Sequence, residues 1–333
     1  MKKNSRSSAS NIRVFVCGAT GVGKSSFAES LATHCCGEII NADVFQMYTP
    51  LSIGTAKPDL SSVMVPHHLF SFLDSPINYS VTEYKKIALQ TIDLVESNNK
   101  IPCIVGGSGF YLYSLFFPPC EHISSPAACP SSPASIHTSC AHENLTATCP
   151  LPSLTHKTFT HDDLYAIDPK RAGEIHPSDT YRIQRACEIF FSHGVLPSTC
   201  APQFQNIEGA TVFFVERDIQ ELYSIIDMRV DSMLQSGWLQ EAANLSVEWC
   251  DFVKRKNVLG YPQLLDVIDK KMSFEDARLY IKQITRNYAK RQMTFNRRFL
   301  KKLQENNVIV HTINLTLSSS DLYIKQYCRD FWK

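Results

Sequence analysis

Eight consecutive residues, Gly18-Ala-Thr-Gly-Val-Gly-Lys-Ser25, have the types and spacing to cradle a polyphosphate or pyrophosphate group. The glycines let successive backbone N–H groups turn inward on phosphate oxygens, Lys24 adds a point charge, and the Ser25 hydroxyl can ligate Mg2+. The run follows an apolar β-type stretch, Ile12–Val16, and opens a helical one, the context that separates a phosphate loop from a chance glycine turn. A nucleotide hydrolase would also carry an apolar strand ending in a Mg2+-binding Asp. Here the corresponding run, Ile101–Val105, ends in Gly106-Gly107-Ser108-Gly109, which argues against plain hydrolysis. Asp43 lies just after the second apolar run, where α/β proteins place functional groups, and its carboxylate could act as a general base. A helix cap or a satisfied structural carboxylate is the commoner role for such a residue. Gln46, on the same short stretch, could hydrogen-bond a base edge as an amide reads adenine, or be an ordinary polar loop residue.

The densest charge signal is Lys282–Lys302, which holds Lys282, Arg286, Lys290, Arg291, Arg297, Arg298, Lys301 and Lys302 and no acidic residue. Lys282, Arg286 and Lys290 recur every four residues, so on a helix they are expected as one basic stripe along a phosphate backbone. A merely solvated helix face would usually mix in glutamates. Arg182 and Arg185, in Tyr-Arg-Ile-Gln-Arg, would touch RNA or simply form surface ion pairs. Across the chain Lys and Arg exceed Asp and Glu by one, so overall charge names no partner and the asymmetry is local. No run approaches the roughly eighteen apolar residues of a membrane span, and the basic, Ser-rich start leads into no signal-type apolar region. A cytoplasmic protein without a membrane partner is expected. Twelve cysteines occur without a C-x-x-C pair, which reads as reduced thiols. His67-His68 lack a carboxylate or thiol at ligand spacing and read as structural.

The elements that must position these groups follow from periodicity. At 333 residues the chain suffices for one large α/β domain with an elaboration, or for two smaller domains. Ile12–Val16, Glu38–Ile40, Ile101–Val105, Thr211–Val215 and Asn307–Ile313 predict strands. Lys24–His34, Glu83–Glu96, Asp163–Gly194, Leu222–Gly237 and Phe274–Lys302 predict helices. Their alternation predicts an α/β fold, a P-loop NTPase-like parallel sheet with helices on both faces. Pro118–His156 breaks the pattern, crowded with Pro, Ser, Thr, Cys and His and devoid of Lys and Arg, and reads as loop or poorly ordered insertion. Cys120, Cys129, Cys140 and Cys149 stand there near histidines, but zinc ligands usually come in closely spaced pairs, so a metal is not expected.

Several blocks together closely resemble the bacterial tRNA dimethylallyltransferases, also called tRNA isopentenyltransferases. They are the phosphate loop, Ile40-Asn-Ala-Asp-Val-Phe-Gln-Met-Tyr48, Ile53-Gly-Thr-Ala-Lys-Pro58, Pro66-His-His-Leu69 and Val105-Gly-Gly-Ser-Gly-Phe-Tyr111. In the second half, Ile175-His-Pro-Ser-Asp179, Arg182-Ile-Gln-Arg-Ala186, Gly260-Tyr261 and Ala289-Lys-Arg-Gln-Met-Thr294 follow in family order. The resemblance implies transfer of a dimethylallyl group from dimethylallyl diphosphate to the exocyclic amine of the adenosine 3′ of the anticodon, in tRNAs reading codons that begin with U. It implies that Gly18, Thr20, Gly21, Val22, Gly23, Lys24 and Ser25 hold the diphosphate with Mg2+. It further implies that Asp43 accepts the amine proton, that Gln46 recognises the flipped base, and that Ser108, where the family usually has Thr, lies near the transferring carbon. The chain then divides into a catalytic core, 12–117 with 205–315, and a mainly helical insertion, 118–204, of which 118–156 is the unmatched, poorly ordered part. Arg182, Arg185, Lys282, Arg286, Lys290 and Arg291 are the expected tRNA contacts, and a monomer is expected.

Departures from the family matter as well. Ile219 and Ile225 stand where family members usually have arginines that steady the diphosphate, and Arg217 or Arg229 would have to compensate. Arg217, at the end of a predicted strand, is the preferred candidate. No basic residue lies between Lys100 and Lys157, which predicts a weaker RNA grip. Two rival readings stay open on sequence alone: a P-loop small-molecule kinase with Arg182 and Arg185 as lid residues, and a tRNA-binding family member with impaired catalysis.

Overall fold

A computed structural model describes residues 12–107, 109–119 and 158–331. The expectations for Ser108, for the 120–156 segment and for its four cysteines lie outside the described residues.

The larger unit comprises the chain up to Phe116 and from Phe204 onward. Its strands are β1 (Arg13–Gly18), β2 (Gly37–Asn41), β3 (His67–His68), β4 (Ile101–Gly106), β5 (Ala210–Glu216) and β6 (Ile309–Asn314). All pair in parallel, in the order β3-β2-β4-β1-β5-β6. Helices α1 (Lys24–His34), α2 (Val81–Ser97) and α3 (Gly109–Phe116) alternate with the first strands. A central strand covered on both faces reads as an unbroken apolar run, as β1 does. Val14 and Val16 point into a cluster with Phe27, Ala28 and Leu31 of α1. Phe15 points the other way, its ring 4.8 Å from Phe116 of α3. Neighbouring Phe213 and Phe214 of β5 repeat the division, one against Phe27 at 5.4 Å and the next against Phe299 at 6.1 Å. Each such side chain withdrawn from water contributes roughly 1.5–3 kcal/mol, so the alternation along β1 and β5 locks helices to both faces.

Chain connections leave β1 toward β2 and β4 on one side and toward β5 and β6 on the other. Such a switch point opens a crevice beyond the carboxyl end of the strands, and the phosphate loop leaves β1 there.

After the smaller unit, the chain adds α7 (Ile219–Gln235), α8 (Trp238–Ala243), α9 (Val247–Arg255), α10 (Tyr261–Ile268), α11 (Phe274–Glu305) and α12 (Ser320–Phe331). The unit continues past residue 315, because Ile324 and Tyr327 of α12 are buried in the cluster around α1. Helix α11 runs for 32 residues, started by the Ser273 side chain accepting from the Asp276 N–H. It is laid along α7 by ion pairs: Arg286 Nη1 donates to both oxygens of Asp227 at 2.6 and 2.7 Å. Arg278 Nε and Lys282 Nζ reach Asp231 at 2.6 and 2.7 Å.

The smaller unit, Phe117–Gln203, contains α4 (His161–Ile167), α5 (Pro169–Glu174) and α6 (Thr180–His193). The single helical stretch expected over Asp163–Gly194 is three helices. Asp168 breaks it: its carboxylate caps α5 by accepting from the Arg171 N–H at 3.0 Å and also takes the Ser198 N–H at 2.7 Å. Pro169 and Pro177 then forbid a continuous ladder. Phe159, Leu164, Ile175, Ile183 and Cys187 form this unit's own core.

Candidate active site

Gly23 caps α1 at φ 98°, a left-handed conformation that costs a residue with a Cβ, and the helix therefore begins directly at Lys24. The unpaired first-turn N–H groups of α1 emerge beside Lys24, and Ser25 lies exposed on the same turn. One loop amide is already committed: the Thr20 N–H donates to Gln292 Oε1 at 2.8 Å.

Asp43 is delivered from the end of β2. The Ala42 N–H donates to Val105 O at 2.7 Å, and Asn41 accepts from the Asp43 N–H at 2.8 Å while its own amide reaches Leu69 O at 2.9 Å. The approach to β4 is so close that a Cβ on Gly106 would lie 2.1 Å from Ala42 O. One residue on, a Cβ at Gly107 would stand 3.2 Å from Asp43 Oδ2, 3.2 Å from Lys24 Nζ and 3.1 Å from Gln292 Nε2. Three strand ends and α11 thus bring an acid, a cation and an amide to one point. Gln292 fixes their spacing, since its Nε2 also donates to Gly107 O at 2.6 Å while its Oε1 holds the phosphate loop.

Burial moves both charges toward neutrality. It lowers Lys24 to about 8 against the opposing pull of Asp43, and neighbouring Arg229 lowers it further. The same burial raises Asp43 above the ordinary carboxylate range, although Lys24, Arg229 and the N–H groups of Phe45 and Gly107 resist. A carboxylate whose pKa has risen is a stronger base at neutral pH than a solvated one. Arg229 itself is shifted down by burial while Asp43 holds it up. Tyr288 faces the cluster from α11, its phenol raised by burial and then by the charge on Asp43.

Of the two compensating arginines weighed from sequence, Arg229 is the one in the field of Lys24 and Asp43. Arg217 is near the loop, its Nη2 3.7 Å from where a Gly23 Cβ would be, but its Nη1 is engaged by Glu221 and by Leu315 O. Ile225 is half-buried on α7, and Ile219 is exposed at its start. Gln46 lies on the turn after Asp43, and its Nε2 donates to Thr55 O at 3.0 Å and Ala56 O at 3.3 Å. Only its carbonyl side is therefore left to meet a base, not the full donor–acceptor edge expected.

The basic row keeps one face of α11, as a spacing of four allows, but that face meets α7, and even Lys290 Nζ lies 5.5 Å from the centre of the Tyr223 ring. Lys282 is buried against Asp231 and Arg286 is paired with Asp227, whereas Lys290, Arg291, Arg297 and Arg298 are exposed. Lys282 and Arg286 are thereby removed from the backbone-contact set. Arg182 and Arg185, in the smaller unit, are exposed and sit in i,i+3 pairs with Asp179 and Glu188, each at 3.3 Å. His67 Nδ1 lies 2.8 Å from Val65 O, and His68 Nε2 lies 2.6 Å from Glu38, a carboxylate brought to it by the fold and not by sequence spacing.

Sequence reasoning passed over Gln292 and Tyr288. Both fall within or beside the Ala289–Thr294 block and share one helix face at a spacing of four, a signal hidden by the surrounding charges. The family model described as IPP transferase matches residues 46–299. The chain is 36% identical over 289 residues to the tRNA dimethylallyltransferase of Syntrophobacter fumaroxidans, covering 85% of this chain and 80% of that one. It is 32% identical over 290 residues to the Bacillus subtilis tRNA dimethylallyltransferase, covering 85% and 87%. Among solved structures, a eukaryotic dimethylallyltransferase acting on tRNA superposes with a TM-score of 0.74 at 26% identity, over 96% of this chain and 78% of that one. The chain belongs to the IPP transferase family, and it is an enzyme of the tRNA dimethylallyltransferase kind.

Proposed function

We propose that this protein transfers a dimethylallyl group from dimethylallyl diphosphate to the N6 amine of the adenosine 3′-adjacent to the anticodon, in tRNAs reading codons that begin with U. The observation that carries the reading is the convergence of Asp43 and Lys24 about the side-chain-free Gly107. Displacement at an allylic carbon needs a base near a weak nucleophile and positive charge near the departing oxygen, and the cluster offers one of each. The N6–carbon bond forms as the carbon–oxygen bond breaks, the electron pair leaves with pyrophosphate, and the amine proton passes to the Asp43 carboxylate. Gln46 Oε1 accepts the other amine N–H and orients the nitrogen lone pair. Lys24, Arg229 and the first-turn amides of α1 take up the charge on the leaving group, with Arg217 at the loop's flank.

Among the described residues no group of three His, Cys, Asp or Glu stands together to hold a metal alone. The exposed Ser25 hydroxyl suits a Mg2+ shared with the substrate's phosphates, which is how this ion is usually bound. When bound, Mg2+ would neutralise diphosphate charge.

The target adenine is stacked in its loop and must be extruded to reach Asp43. Exposed Lys290, Arg291, Arg297 and Arg298 are the proposed backbone contacts on α11, with Arg182 and Arg185 contributed by the smaller unit. No described helix is long and apolar enough to cross a membrane. A monomer in the cytoplasm is the proposed working form. The test is incubation of the protein with dimethylallyl diphosphate and an anticodon stem-loop bearing the adenosine, followed by mass spectrometry of the RNA. A gain of one dimethylallyl group, lost in Asp43→Ala, is expected; RNA binding without any mass gain would leave the impaired-catalysis reading standing instead.

A further inference from the structure

Glu241, on α8, lies outside the cluster around Gly107, yet its carboxylate is saturated in an unusual way. Oε2 accepts from the N–H groups of Ser52 and Ile53 at 3.0 and 2.7 Å, and Oε1 from the Gly54 N–H at 3.2 Å. Oε1 also accepts from the Tyr261 hydroxyl at 2.6 Å. Three consecutive amides turned onto one carboxylate make an anion nest, and here the protein supplies the anion itself. Gly54 is pressed against the same group of side chains: a Cβ there would lie 2.1 Å from Trp238 Nε1 and 2.6 Å from the Tyr261 ring.

The held loop continues into Thr55 and Ala56, whose carbonyls fix the Gln46 amide. Ala56 sits at φ 51°, a left-handed conformation that a residue with a Cβ adopts only where its surroundings impose it. Lys57 ties down the far side, donating to Tyr48 O at 2.7 Å and Ser71 Oγ at 2.8 Å. Two anchors thus flank the two carbonyls that orient Gln46, and one of them is a carboxylate on a separate helix.

We propose that Glu241, held by Tyr261, is a positioning residue that acts through the 52–56 loop to aim Gln46 at the nucleobase. The inference rests on the reading of Gln46 as the base-recognising group. Glu241 accepts from four donors at once, and Gln at this position would set an NH2 group against backbone N–H donors. The loop would slacken and Gln46 Oε1 would lose its direction, while the phosphate loop, on β1, would keep its shape.

A double-mutant cycle on prenyl transfer to the anticodon stem-loop tests this. Glu241→Gln is expected to lower kcat/KM for RNA about tenfold, since charged hydrogen bonds are lost. It should leave binding of inorganic pyrophosphate close to the wild type. Added to Gln46→Ala, it should have little further effect. Tyr261→Phe, which removes one hydroxyl, should follow the same pattern at smaller amplitude and serves if Glu241→Gln folds poorly. Multiplicative losses in the double variant, or pyrophosphate binding that falls in step with transfer, would overturn the proposal while wild-type transfer stood. Absence of transfer by the wild type would remove the functional reading and this inference together.

Discussion

Two charged regions lie a few residues apart on α7 and behave oppositely. In the seam with α11, Arg286 pairs with Asp227, Lys282 and Arg278 share Asp231, and Arg278 also reaches Glu275, so three cations meet three carboxylates at 2.6–2.7 Å. At the strand ends, Arg229, Lys24 and Asp43 share one buried field, with two cations against one carboxylate. The seam is closed electrostatically, whereas the strand-end cluster carries surplus positive charge. A closed arrangement holds helices in place; an open one has capacity for an anion and for a proton transfer.

The contrast breaks most visibly at Asp43. Asp43→Asn is expected to slow transfer about 10²–10⁴-fold, the usual worth of a positioned base, with RNA affinity kept in a filter-binding assay. Next, Arg229→Met should lower kcat/KM for the diphosphate about 10²–10³-fold, as loss of an anion-stabilising group does, and Arg217→Met less than about tenfold. If the two arginines rank the other way, the open field has been assigned to the wrong side chain.

A pH profile sharpens the same comparison. Because burial raises Asp43, kcat/KM should climb with pH through a value above the ordinary carboxylate range. It should fall again as Lys24 loses its proton near 8. In the closed seam the sign reverses: Arg278 and Lys282 hold Asp231 below its ordinary range, so its support for the fold is present at neutral pH and lost only as acid reaches that lowered value. Asp231→Asn should therefore cost about 1–3 kcal/mol in denaturant unfolding, because it leaves Lys282 poorly matched, and should not change the rate of transfer. The smallest expected effect is on RNA. Lys290→Ala and Arg291→Ala should each reduce the salt dependence of binding by about one unit of slope, and Arg286→Ala should not.

What sequence could convey follows the same division. Strands β1, β2, β4 and β5 were legible because burial on both faces writes itself as unbroken apolar runs, and the phosphate loop because glycine spacing is dictated by backbone geometry, whereas β3, only His67–His68, carries no such run and was not foreseen. Asp43 was legible from its place at a strand end. The pairing of Lys282 and Arg286 was not read, although Asp227 and Asp231 repeat at the complementary spacing; periodicity on one helix does not say which face meets a neighbour. Gln292 and Glu241 escaped for a related reason. Each acts on backbone groups more than a hundred residues away, and only the packed fold reveals that neighbourhood. The split of Asp163–Gly194 into three helices was visible as Asp168-Pro169 and His176-Pro177 but was outweighed by helical spacing on either side.

Lys24, held near 8 by its surroundings, also gives the resting protein a thermochemical signature. In a solution at that pH the side chain is about half protonated, and an arriving diphosphate, which favours the charged form, would draw about half a proton from the medium. The heat of association must then vary with the ionisation enthalpy of the buffer, so that the calorimeter records proton uptake as well as binding.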